Sequence, residues 1–302
     1  MSDKRGFKTL YEVVKQAGYQ WNEDNAPRFA ASVAFFTIFS IAPLLTIVVA
    51  VAGVVFGDAA ARAALIEEIE RLSGSGNAKA VETILEHAEF SAGDIITTIA
   101  AVLIMLWGAT RVFAELQEAM NHIWNVTPRI DSMVLGLLWK RTLSFVMILA
   151  VGFLLLVSLV MSALLSAFES QMAEVIPSGA MRILMWSADN AISFGLITLL
   201  VAMIYKILPD AEIAWRDVWL GAVVTAALFV IGKYLIGLYL GRSTTASAFG
   251  AAGSFMVFLI WIFFSVQILF FGAELTQVVA NRYGSGVLPI KGAQIKEKGK
   301  ST

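Results

Sequence analysis

Six apolar runs, separated by polar connections, divide the chain: Phe29–Gly57, Ile95–Phe113, Thr142–Phe168, Ile183–Ile207, Val218–Leu240 and Ala246–Ala280. A bilayer core about 30 Å thick needs about 20 residues of apolar helix, so each run predicts one membrane span. Their periodicity is weak, as suits helices that face lipid on one side and protein on the other. Strands of an outer-membrane barrel would alternate over about ten residues, and these runs do not. The predicted fold class is therefore all-α, a polytopic membrane protein built as a bundle of six transmembrane helices.

The connections carry structure of their own. Asp58–Asp94 is too long for a simple loop and reads as two short helices separated by Ser73-Gly74-Ser75-Gly76. The first aligns Leu65, Ile69 and Leu72; the second, capped by Asn77, aligns Val81, Ile84, Leu85 and Ala88. Their polar faces hold Glu67, Glu68, Glu70, Glu82, Glu86 and Glu89, which disfavours flat binding to anionic lipid, so they are expected to form a small cap over the external mouth of the bundle. Ala114–Trp124 continues the second span as an amphipathic cytoplasmic helix with Leu116, Met120 and Ile123 on one stripe, expected along the membrane surface and ended by Pro128. The resulting domain plan is an N-terminal arm over 1–28, a transmembrane domain over 29–280 that includes the external segment 58–94, and a tail over 281–302. Lys- and Gly-rich residues from Lys291 to Thr302 are expected to be disordered.

Charge orients this plan. Sixteen Lys and Arg fall on the face shared by the two termini and five on the opposite face, among them Arg62, Arg71 and Arg242, so both termini are expected in the cytoplasm. The polar residues 1–28 show no short apolar run with a small-residue cleavage site, so a removable signal peptide is not expected.

Composition then excludes function classes. Hydrophobic residues make up 58% and charged residues 15%, against roughly 45–50% and 25% in an ordinary soluble domain, which rules out a soluble enzyme. A net charge of −1 offers no basic field for nucleic acid. With no Cys, disulfides, thiolate metal sites and cysteine nucleophiles are absent together. His87 and His122 lie on opposite sides of the membrane in no metal-binding spacing, and no GxxxxGK[ST] or GxSxG motif occurs, so neither a metal nor a cofactor is expected.

Ionisable groups inside spans are costly and are functional candidates by default. Asp189 lies about 10 Å inside Arg182 and Lys233 about 13 Å inside Arg242, counted at 1.5 Å per residue. Similar depth allows Asp189, Asn190 and Lys233 to line an outward-facing cavity for a charged solute or headgroup; the alternative is a desolvated ion pair that fixes helix register. No second acid is evident at the depth of Asp189 to form a proton relay. Glu274 falls at the cytoplasmic edge of the sixth span, level with Arg111, Glu115 and Arg28, where a cytoplasmic gate of salt bridges competes with simple interfacial anchoring. Pro43 breaks the hydrogen bonding of the first span at the carbonyl of Phe39, with Thr37 and Ser40 nearby to repair or exploit the break. The pairs Gly53/Gly57 and Gly237/Gly241, and Gly250 with Ser254, suit close helix packing or a homo-oligomer contact. Residues 29–168 and 183–280 show no inverted repeat.

Three stretches carry a resemblance: Ala30-Ala31-Ser32-Val33-Ala34-Phe35-Phe36-Thr37 running to Ala42-Pro43-Leu44-Leu45, then Met120-Asn121-His122-Ile123-Trp124-Asn125-Val126, and finally Gly272-Ala273-Glu274-Leu275. In this order and spacing the chain resembles the YihY/BrkB family of bacterial inner-membrane proteins, historically labelled ribonuclease BN-like. The resemblance implies six spans with cytoplasmic ends in the inner membrane, envelope roles, and export or transport of lipidic or small solutes. The expected function is thus a transporter or exporter of a small solute or lipid-like molecule, whose partners are the lipid bilayer and that substrate. The alternative is a non-transporting scaffold or envelope-integrity protein. Ribonuclease activity, and enzymatic activity generally, are not expected, because the chain lacks a cluster of His, Asp and Glu able to hold a cation and activate water.

Overall fold

The computed structural model describes residues 3–87, 95–128, 178–242 and 253–284, together with 150, 152–154, 157, 158, 160, 161, 164, 165, 286, 288, 289 and 293–295. The chain is an all-α membrane protein. Its helices are α1 (Asp3–Glu23), α2 (Ala26–Phe56), α3 (Asp58–Ser73), α4 (Ser75–His87), α5 (Ile95–Ile123), α6 (Ser178–Ile207), α7 (Trp215–Arg242) and α8 (Gly253–Tyr283). Among the described residues, four helical stretches are long and apolar enough to cross a membrane: Ala26–Val54, Ile183–Ile207, Trp215–Ile236 and Phe255–Tyr283. Helix α5 covers the second apolar run, and the described positions of the third are helical. The rest of that third run, and residues 129–149 and 243–250, lie outside the described residues.

Helix α8 is the hub, packing against α1, α2, α4, α5 and α7. Between it and its neighbours lies one core that includes Ala30, Val33, Met120, Ile123, Tyr205, Ala222, Phe270 and Ala273. Large apolar side chains that point outward, such as Phe35, Val54, Trp107, Ile183, Trp219, Ile231 and Leu235, clothe the bundle in a surface suited to lipid. Close approach of α7 to α8 rests on two glycines. A Cβ on Gly221 would collide with Thr276, and one on Gly272 would meet Thr225 and, at 2.7 Å, the Tyr205 hydroxyl. Neither glycine belongs to the GxxxG pairs of the sequence; Gly53 instead faces Asp58 at the turn after α2. Gly272→Val is expected to cost about 1–3 kcal/mol by overpacking this crossing, read as a lowered unfolding midpoint in mild detergent.

Both described ends of the chain lie at the same end of the bundle. Helix α1 sets Val13 and Ala17 against Val278 near the end of α8. Short strands β1 (Val126–Pro128), β2 (Ala211–Glu212), β3 (Leu288–Pro289) and β4 (Ala293–Ile295) then tie the tail back: β4 runs antiparallel to β1, with Val126 opposite Ile295, and β3 runs antiparallel to β2. The expected disorder from Lys291 onward is therefore corrected at 293–295, where the backbone groups that follow α5 supply an edge to pair with.

One further element differs from expectation, and one is filled in. Helix α2 runs on through Pro43, as a span with a local proline break does. Thr37 and Ser40 donate to the carbonyls of Val33 and Thr37, not to that of Phe39, and α5 presses Gly108 against Phe39. The stripe Leu116, Met120 and Ile123 is buried in the protein core rather than laid on lipid. Helix α5 simply continues past the apolar run as one unbroken helix, ending just before Asn125, which adopts a left-handed φ of 53°.

Candidate functional site

The segment after α2 forms the two helices that its apolar stripes imply, but it does not sit over the bundle; it enters it. Gly57 takes φ 83° and ψ 145°, a conformation nearly restricted to glycine, and reverses the chain. Helix α3 then packs back along α2, burying Leu65 beside the cluster that holds Leu45 and Val48. Gly74, at φ 93° and ψ 163°, makes the second reversal, and α4 returns against α3 and α8 with Val81 and Leu85 buried. The tip of this hairpin lies among the membrane helices. Arg71 reaches Ser193, which stands about 22 Å from the start of α6 and about 21 Å from its end. Lys233, nine residues before the end of α7, donates to the Arg71 carbonyl.

A tip at that depth must satisfy its own backbone, because lipid offers no partners. Three of the last four carbonyls of α3 find partners there. The Gly74 N–H bonds Glu70 O at 2.8 Å, Lys233 Nζ takes Arg71 O, and Asn77 Nδ2 takes Ser73 O at 2.8 Å. Asn77 was expected to cap the start of α4; it serves the end of α3 instead. The Lys233 ammonium also lies where the negative end of the α3 dipole favours a cation.

The hairpin brings charge into the bundle. Glu68 is only 3% exposed, and its carboxylate is held bidentately by Arg71, Nε to Oε2 at 2.9 Å and Nη2 to Oε1. Ser158 donates to the same Oε1 and lies 3.2 Å from Arg71 Nη2, while Arg71 Nη1 meets Ser193. Five residues from four parts of the chain thus converge: Glu68 and Arg71 of α3, Ser158 of the third run, Ser193 of α6 and Lys233 of α7. Of the residues proposed from sequence, Lys233 belongs to this cluster and Asn190 is an exposed position of α6 in contact with other residues. Asp189 lies in α6 four residues before Ser193, and its side chain is outside the described set. Sequence reading missed Glu68, Arg71, Ser158 and Ser193. The only available signal was the Glu-x-x-Arg spacing of a helical ion pair, which is equally common on solvated faces.

A second polar layer lies toward the end that carries the termini. Asn121 and Asp210 exchange hydrogen bonds, Asn121 Nδ2 to Oδ2 at 2.8 Å and the Asp210 N–H to Asn121 Oδ1 at 2.7 Å, with Gln117 at 3.4 Å. Tyr205 donates to Leu269 O at 2.6 Å and lies 3.0 Å from Thr225 Oγ1, and Gln277 donates to Ile123 O. Glu274 is fully buried in this layer. Arg111 stacks over Phe36 and Trp107, and among the described residues no salt bridge joins Arg28, Arg111 and Glu115. The layer reads as a fastening of α5, α6 and α8. Asn121→Ala is expected to cost about 3 kcal/mol, since it strips a buried carboxylate of its best donor, and denaturant unfolding in detergent measures it.

Among the described residues no group of three or more His, Asp and Glu side chains gathers to hold a metal. The model of the family described as Virulence factor BrkB matches residues 17–294. The chain is similar to UPF0761 membrane proteins of Ralstonia nicotianae (27% identical, covering 84% of this chain and 55% of the relative) and Tolumonas auensis (27%, 84% and 80%). One from Pseudomonas aeruginosa is 26% identical over 89% of this chain and 63% of its own. The chain thus spans little more than half the length of the Ralstonia relative. No solved structure matches.

Proposed function

The chain belongs to the virulence factor BrkB family, and on that premise we propose that it is a transporter or exporter of a small solute or lipid-like molecule, with its binding site at the hairpin tip. One observation carries this reading: Glu68, Arg71 and Lys233 are drawn into the bundle, where charge is costly unless it serves a pathway. The finer topology of the proposal is six spans in the inner membrane with both termini cytoplasmic. The shared end of α1 and the tail strands supports it, as does the bias of Lys and Arg. The reading requires no enzymatic step and no cofactor.

A non-transporting scaffold is the second reading, favoured by the use of Lys233 as a tie to the end of α3. The two differ in whether water reaches the cluster. Since the chain has no native Cys, Ser193→Cys and Lys233→Cys can be labelled singly by a membrane-impermeant thiol reagent added from outside, with Arg242→Cys as the reference. Labelling at all three positions is the expected result. Labelling at 242 alone, in protein that elutes as the parent does, supports the scaffold.

A further inference from the structure

Helix α5 carries one cation onto the lipid-facing surface of the bundle. Arg111 stands two residues before the end of the apolar run Ile95–Phe113, on a helix that runs toward the end where β1 and β4 pair. Its side chain is exposed, and its guanidinium lies over the rings of Phe36, at 5.8 Å, and Trp107, at 6.0 Å. Trp107 precedes it by four residues, which sets the indole about 6 Å nearer the bilayer centre. The arginine therefore leans inward along its helix, as side chains tilt toward a helix N-terminus. An arginine that serves only as an interfacial anchor extends the other way, to bring its head to water.

The platform under the guanidinium is a set of interlocked rings. Phe36 and Trp107 meet edge-on at 5.7 Å, Phe35 packs on Phe36 at 5.4 Å, and Phe39 reaches Trp107 at 6.4 Å. Gly108, pressed on Phe39, holds α5 close to α2 at this level. Ring faces attract the charge but take none of its N–H donors. Among the described residues Arg111 makes no hydrogen bond or ion pair, not even with Glu115 one turn on. Residues 29–56 of α2 and 95–110 of α5 contain no Asp, Glu, Lys or Arg, so the charge at this level of the two helices is the single cation. Phe35, Phe39 and Trp107 keep exposed apolar surface around it. A phospholipid complements both features at once: its phosphate fits the guanidinium fork, and its chains cover the rings.

We propose that Arg111, stacked on Phe36 and Trp107, is a docking site for a phospholipid of the leaflet on the side of the chain's termini. The lipid phosphate sits on the guanidinium, and its acyl chains lie along Phe35 and Phe39. The site is on the outside of the bundle, so it is independent of whether the hairpin tip serves a transporter or a scaffold.

The test reads the site locally, through quenching of Trp107 by lipid that carries brominated acyl chains. Phosphatidylglycerol, or diacylglycerol with the same chains, is titrated into the purified full chain in a non-ionic detergent, and the signal is the difference from Trp107→Phe. Phosphatidylglycerol is expected to reach half-quenching at about a ten- to hundredfold lower mole fraction than diacylglycerol, the range for a hydrogen bond to a charged group. Arg111→Gln is expected to close that gap, and Arg216→Gln, which removes an exposed cation from the start of α7, to leave it intact. The parent protein suffices if a variant misfolds, since equal quenching by the two lipids in the parent overturns the site. A gap that survives in Arg111→Gln overturns it as well. Displacement of phosphatidylglycerol by an equal concentration of dimethyl phosphate overturns the assignment to a lipid. Absence of quenching by either lipid, in a parent that elutes as a dimer and an Arg111→Gln that elutes as a monomer, overturns it in favour of a second copy of the chain.

Discussion

Arg71→Met is expected to destabilise the folded protein by about 3–5 kcal/mol, because it leaves the carboxylate of Glu68 buried without its counter-charge. The deficit follows from what remains rather than from what is lost. An ion pair inside a bundle repays its own desolvation only narrowly, so Glu68→Gln with Arg71→Met together is expected to recover most of the stability. Unfolding midpoints of the three proteins in one detergent decide this. Equal losses in the single and double variants would mean that Arg71 stabilises by packing alone.

The second large effect lies in the backbone of the hairpin. Gly57 and Gly74 both hold a positive φ with an extended ψ, a region that a Cβ makes costly by about 1–3 kcal/mol per residue. Alanine at both is therefore expected to cost about 2–6 kcal/mol, the sites being far enough apart to add. A Cβ meets nothing within 4 Å at either position, so the cost measures conformation and not crowding. Limited proteolysis of the double variant is expected to cut first between 58 and 87. Resistance equal to the parent would show that the hairpin is held by its packing regardless of its turns.

These expectations bear on how far a sequence of this kind can be read. The apolar runs announce their helices because a membrane span needs length and apolarity and little else, and the described parts follow that pattern closely. The hairpin's stripes were equally legible: Leu65, Val81 and Leu85 are buried as their spacing requires. Its direction was not. Glu68 and Arg71 share a short helix with Glu67 and Glu70, which are exposed, and no local pattern separates a charge turned to water from one turned inward. The distinction is set by Ser158 and Ser193, roughly 90 and 120 residues away and unremarkable within apolar runs. Asn121 shows the same limit. Its motif could be quoted but not explained until Asp210, in the turn after α6, closed a reciprocal pair with it. Lys233 was found because a lysine within an apolar run is conspicuous, yet its partner is a backbone carbonyl, which sequence cannot point to.

The insertion of the hairpin tip is most directly tested by a double-mutant cycle between Arg71 and Ser193, whose contact spans 122 residues of sequence. Arg71→Lys keeps the charge but loses the fork, and Ser193→Ala removes the acceptor. With the tip seated between α6 and α7, the two changes are expected to couple by about 0.5–2 kcal/mol in unfolding free energy. Strict additivity, within about 0.3 kcal/mol, would place the tip outside the bundle and contradict the site built on it.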